Sequence, residues 1–194
     1  MARQNSNAFD LALIAVFAAL IAALALTPAI PVGVGVPLTL QTLGVLLAGL
    51  VLGPWRGFLA VLLYLVVGFA GLPVFAGGSG GLAVLGHPSI GYLLSFPFVA
   101  AVAGALAAWS VRRGLRAQYL WLTLAGVVAS VLVLYPAGIA GMMAVLRLDF
   151  AKAFVANLTY TPGDLVKCFA AAAIAIAVHK AFPALLATRR SVAA

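Results

Sequence analysis

Charge is scarce in this chain, and acidic charge scarcest. Its 194 residues include three Asp or Glu against eleven Lys or Arg, and only 7% are charged. General acid–base chemistry usually needs paired carboxylates or a histidine oriented by one, and three acids with two histidines give an enzyme little to work with. No HExxH, G-x-S-x-G or G-x-x-x-x-G-K-[ST] stretch occurs, so the zinc-protease, serine-hydrolase and phosphate-loop ATPase signatures are missing. The single cysteine, Cys168, excludes an intramolecular disulfide and a cysteine metal cluster, and is expected to pack as a small apolar residue. His87 and His179 stand far apart and read as hydrogen-bonded structural residues. No catalytic residue, metal or cofactor is expected.

What is present is hydrophobicity. Apolar residues make up 66% of the chain and the mean hydropathy is +1.24, which places it in a lipid bilayer. Six apolar segments, about 9–26, 38–52, 56–70, 89–111, 118–146 and 161–186, are punctuated by Pro, Gly or Arg. The expected fold is all-α: one transmembrane domain over 1–194 with six membrane helices. The second and third segments are short for a crossing of ~20 residues, and so are tilted or buried in protein. Pro136-Ala137-Gly138 predicts a kink or break in the fifth. The first segment could alternatively be a signal peptide, with Arg3 before it and Ala23-Leu24-Ala25 at its end. Asp10 and a packed-span pattern of small residues argue against that.

The net charge of +8 does not point to nucleic acid, because the basic residues sit at segment ends rather than on one face. Arg3, Arg56, Arg112, Arg113, Arg116, Lys180, Arg189 and Arg190 mark the N-terminus, the second and fourth connections and the C-terminus. Connections 27–37 and 71–88 carry no charged residue. By the positive-inside rule both termini are cytoplasmic, and these two connections and Asp164 face outwards.

Four stretches carry possible chemistry. Asp164 and Lys167, in Thr161-Pro162-Gly163-Asp164-Leu165-Val166-Lys167, share one face at the mouth of the last segment. A charge at the centre of a membrane helix costs roughly 2.5–3.5 kcal/mol, so the pair is either a fixed ion pair or a site for a polar ligand, with Asn157 and Tyr160 close by. Asn157-Leu158-Thr159 also matches a glycosylation sequon, a motif common by chance. Connection 27–37 holds three prolines and two glycines, which forbid a regular helix, and its apolar character suggests a lid folded over a cavity. Thr39 and Gln41 follow it, as helix caps or ligand contacts. Connection 71–88 contains Gly77-Gly78-Ser79-Gly80-Gly81, where backbone can approach a ligand closely, unless it is simply a flexible hairpin. Ala15/Ala19 and Ala18/Ala22 form small-xxx-small pairs that permit close helix approach, either internally or to a partner.

Three motifs in this order and spacing resemble the BioY family across nearly the whole chain. They are Pro37-Leu38-Thr39-Leu40-Gln41-Thr42-Leu43-Gly44, then Gly71-Leu72-Pro73-Val74-Phe75 with the glycine run and Gly91-Tyr92, and finally Pro162-Gly163-Asp164-Leu165-Val166-Lys167. Family members are the biotin-binding S subunits of energy-coupling factor transporters. The resemblance implies a six-helix protein of a prokaryotic cell membrane that captures biotin at its external face. It also implies a transmembrane coupling subunit and two ABC-type ATPases as partners, with the S subunit toppling to release ligand inwards. Asp164 and Lys167 match the family's ligand-contacting acid and base, and Ser79 with Gly78 and Gly80 its third-connection site. Phe75 and Tyr92 would hold the bicyclic body, with Gln41 and Asn157 as further contacts. Ala15, Ala19 and Ala22 match the surface that meets the coupling subunit. Ile90 stands where the family usually has the first glycine of a Gly-Gly pair before the tyrosine. The alternative from the residues alone is a stand-alone secondary vitamin carrier with Asp164 as its coupling carboxylate.

Overall fold

The computed structural model describes residues 2–32 and 35–185, and Leu186, Arg189 and Arg190 lie outside that range. Among the described residues the architecture is helical: α1 (Ala2–Ala25), α2 (Gln41–Leu52), α3 (Pro54–Phe69), α4 (Ile90–Arg112), α5 (Gln118–Ala129), α6 (Tyr135–Leu146), α7 (Phe150–Leu158) and α8 (Thr161–Ala181). Pairing between extended segments is limited to two isolated bridges, Ile30 with Leu38 and Phe75 with Ser79.

Four stretches are long and apolar enough to cross a membrane: Asn7–Ala25, Ile90–Arg112, Gln118–Leu146 and Thr161–Ala181. The six expected segments therefore differ in kind. At ~1.5 Å per residue, twelve-residue α2 is about 18 Å long and sixteen-residue α3 about 24 Å, against a hydrocarbon core of ~30 Å. Helix α2 is shielded along nearly its whole length, with Gly44 to Leu52 all buried between α1, α3, α4 and α8. One residue, Gly53, separates α2 from α3. Its φ of 81° is open to glycine and strained for other residues, and Pro54 starts α3 with a φ already helical.

Glycines set how closely this centre packs. Gly49 lies against the Ala100 backbone and Gly104 against Gly53 and Pro54, so α2 and α4 run side by side in the same direction. Helix α8 is parallel to both, since Thr42 and Lys167 meet near the starts of α2 and α8. All three helices begin at one end of the molecule, and that end holds the site.

At the other end Arg56 pairs with Asp10 at 2.8 Å and donates to the Leu185 carbonyl, tying α1, α3 and the chain beyond α8 together. Ala18, Ile21 and Ala25 bury one face of α1, which makes it an integral part of the bundle. Cys168 is buried beside Gly126, as expected of a small apolar residue. His87 shares a 2.8 Å hydrogen bond with the Ser89 hydroxyl, and the half-buried His179 ring lies against the Leu50 and Val51 backbone.

The fifth segment is continuous over 118–146. Pro136 lacks an N–H, and the helix absorbs this through a π-helical turn at Ser130–Leu134 rather than by breaking. The sixth segment stops being α-helical at Ala181, short of 186. The connection before it contains α7. Asp149 accepts the Lys152 backbone N–H as the N-cap of α7, and its carboxylate pairs with the Lys152 ammonium at 2.8 Å. The hydrogen bond from the Lys152 side chain, then that from its backbone, holds the Asp149 carboxyl below its ordinary range.

Candidate functional site

A cavity of about 570 Å³ opens among the starts of α2, α4 and α8, under connections 27–40 and 70–89. That volume falls within the roughly 300–1,000 Å³ typical of small-molecule sites. Leu93, Phe96 and Leu134 give it apolar walls, and Asp164, Lys167 and Thr42 a polar corner.

The polar corner is built from opposite ends of the chain. Lys167 Nζ donates to Asp164 Oδ1 at 2.9 Å and to Thr42 Oγ1 at 2.8 Å. The two side chains of the ion pair are only 8% and 7% exposed. Two buried charges remain ionised together only when each satisfies the other, and here the pairing leaves capacity for a ligand. The Thr42 hydroxyl also lies 3.5 Å from Asp164 Oδ1, the Tyr135 hydroxyl faces the same carboxylate, and Lys167 keeps a third N–H. Pro162 in the first turn of α8 sets this register, because it lacks an N–H that the helix start could not use.

The described part of connection 27–37, residues 27–32 and 35–37, folds back over the cavity. Ile30 and Leu38 exchange backbone hydrogen bonds of 3.0 and 2.9 Å at its base. The Tyr160 hydroxyl donates to the Val36 carbonyl at 3.0 Å, with the Val32 carbonyl at 3.3 Å. Ala29, Val36, Pro37 and Leu38 line the cavity from this lid.

The glycine-rich connection forms a tight loop. Phe75 N–H donates to the Ser79 carbonyl at 2.9 Å and Gly78 N–H to the Phe75 carbonyl at 3.0 Å. Gly77 and Gly78 have φ of 69° and 70°, which makes two successive glycines necessary there. Phe75 packs edge-on against Tyr64 and Phe69 and fills the space above Gly68, where a Cβ would strike its ring.

The structure brings Gln41, Phe75, Ser79, Gly80, Tyr92, Asp164 and Lys167 to one cavity. Gly78 is not part of the lining; it serves the loop through its φ. Asn157 is not part of the lining either. It is 2% exposed and accepts a 2.7 Å hydrogen bond from the Tyr92 hydroxyl, so it holds Tyr92 from behind and is not free as a sequon. Ile90 simply begins α4, and Gly91 meets Ala137 and Gly141 at the crossing with α6. On α1, Ala15 and Ala19 are exposed while Ala22 is half-buried against the core. Sequence reasoning missed Thr42, whose bond to Lys167 spans 125 residues, and the apolar walls at Phe96 and Leu134.

Comparison with known proteins gives a consistent result. The sequence model of the BioY family matches residues 1–184. A biotin transporter BioY of Rhizobium etli is 43% identical over 179 residues, covering 91% of this chain and 96% of its own. One from Rhodobacter capsulatus is 40% identical over 192 residues, covering 93% and 98%. A crystal structure of the S-component for biotin from an ECF-type ABC transporter superposes with a TM-score of 0.84 at 27% identity, over 91% of this chain and 93% of that one.

Proposed function

The chain belongs to the BioY family, and from that premise we propose that it is the biotin-binding S component of an energy-coupling factor transporter. The observation that carries this reading is the buried Asp164–Lys167–Thr42 corner at one end of a lidded, largely apolar cavity. Biotin has a polar cyclic urea on an apolar bicycle with an aliphatic acid tail. Asp164 accepts a ureido N–H, Lys167 donates to a ligand oxygen, and Phe75, Tyr92, Phe96 and Leu134 pack on the apolar body. An analogue without the urea would leave the corner unpaired, at ~1–3 kcal/mol per unmet group, which is the source of selectivity.

The whole chain acts as one unit in the cell membrane of a prokaryote, crossing six times with both termini in the cytoplasm. Helices α2 and α3 cross in a part of the bundle where neighbours shield them. The lidded end faces outwards, in keeping with the charge-free connections there and with Arg56, Arg112 and Lys180 at the opposite end. A transmembrane coupling subunit and two ABC-type ATPases supply energy, and the exposed Ala15 and Ala19 on α1 provide the close-approach surface for the coupling subunit.

Equilibrium binding of biotin to the purified chain, with riboflavin as control, tests the reading. Saturable, biotin-selective binding is expected. Asp164→Asn or Lys167→Ala should weaken it at least tenfold in folded, monodisperse protein (~1.4 kcal/mol or more). An Asp164→Asn/Lys167→Met variant that binds like the parent would reduce the pair to a structural ion pair.

A further inference from the structure

Tyr64 does not line the cavity. It sits on α3, 1% exposed, with its hydroxyl between two groups. Gln41 Nε2 donates to it at 2.6 Å, and it donates to the Val74 carbonyl at 3.1 Å. The polarity of this chain follows from proton counting. A backbone carbonyl can only accept, and a phenol has one proton. Tyr64 must spend that proton on Val74, so its oxygen is left to accept, and the only end of the Gln41 amide that can donate is the nitrogen. The flipped amide would set carbonyl oxygen against phenol oxygen, or else take the proton away from Val74 and leave that carbonyl without a donor.

The carbonyl oxygen of Gln41 therefore faces the other way. Among the described residues it takes no hydrogen-bond donor, and Gln41 borders the cavity. We infer that Tyr64 is a positioning residue that fixes Gln41 as a hydrogen-bond acceptor for an N–H of the bound ring. The inference deepens the biotin reading and rests on it. With Gln41 oriented this way the cavity offers two acceptors, Gln41 Oε1 and the Asp164 carboxylate, beside the Lys167 ammonium as donor. A cyclic urea is the complement: two N–H groups flanking one carbonyl. A ring with a lactam, having one N–H, would leave one acceptor unmet.

The same relay reaches the glycine-rich loop. Val74 precedes Phe75, so the bond from Tyr64 also holds the segment that places the Phe75 ring. A purely structural role for Tyr64 would act through this second branch, and the test must separate the two.

Affinities of the full chain for biotin are measured in the parent, Tyr64→Phe, Gln41→Leu and the double variant. Biotin methylated on either ureido nitrogen serves as a second set of ligands. Each single substitution should weaken biotin about tenfold, and the double variant should bind no more weakly than Gln41→Leu alone. One methyl isomer, lacking the N–H that Gln41 accepts, should lose little further affinity in Tyr64→Phe. Additive losses in the double variant, or equal losses for biotin and both isomers, would assign Tyr64 to loop support and overturn the inference. Failure of the parent to bind biotin would instead remove the underlying reading, an outcome distinct from either pattern among the variants.

Discussion

Tyr92 and Asn157 show how single side chains here serve the cavity from outside it. The Tyr92 ring faces the ligand space while its hydroxyl reaches away to Asn157, and a Cβ on Gly138 would overlap the ring. Tyr92→Phe keeps the ring but leaves the buried Asn157 oxygen without a donor. It should lower stability by about 1–3 kcal/mol, read as reduced Tm in detergent, with biotin affinity changed less than threefold in the folded fraction. A large affinity loss without a change in Tm would instead make the Tyr92 hydroxyl a ligand contact. Asp164 and Lys167 were legible in the sequence because charge is so rare there. Thr42 was not, since a threonine near a helix start carries no sign that a lysine 125 residues on will bond to it. Phe96 and Leu134 were equally invisible, because an apolar side chain facing a cavity is spelled like one facing lipid.

At the scale of elements, one phenol helps to hold the lid. Tyr160 has a single proton to share between the Val32 and Val36 carbonyls, so it adds one hydrogen bond to the two of the Ile30–Leu38 bridge at the base. Tyr160→Phe should speed biotin dissociation several-fold while shifting Tm little, and stopped-flow displacement would show it; an unchanged off-rate would mean that the Ile30–Leu38 bridge alone keeps the lid closed. Helix existence was readable from apolar runs and their Pro and Gly boundaries, but two features were not. Helix α7 is nine residues long, too short for a periodicity signal, and is announced only by the Asp149 cap. The irregularity expected around Pro136 takes the form of a π-helical turn in a continuous helix, because a locally wider helix costs less than an unpaired backbone in hydrocarbon.

At the scale of the whole molecule, the cavity and the small-residue face of α1 lie apart. The cavity is enclosed by α2, α4, α8 and two connections, whereas Ala15 and Ala19 lie exposed on α1. Ala19→Leu should therefore leave biotin affinity unchanged in detergent and reduce uptake by the assembled transporter at least tenfold. Loss of both together would place α1 within the binding unit. All three acidic residues are held in ion pairs, Asp10 with Arg56, Asp149 with Lys152 and Asp164 with Lys167.

The last of these pairs has an electrical consequence. Asp164 and Lys167 sum to zero, so this corner adds no net charge to the cavity. Biotin's carboxylate, bound there, is not neutralised by the pair. Each elementary charge moved through 100 mV involves ~2.3 kcal/mol, and an inside-negative potential opposes the entry of an anion. The voltage across the membrane therefore opposes the inward passage of the biotin anion, and accumulation against it requires a separate source of work.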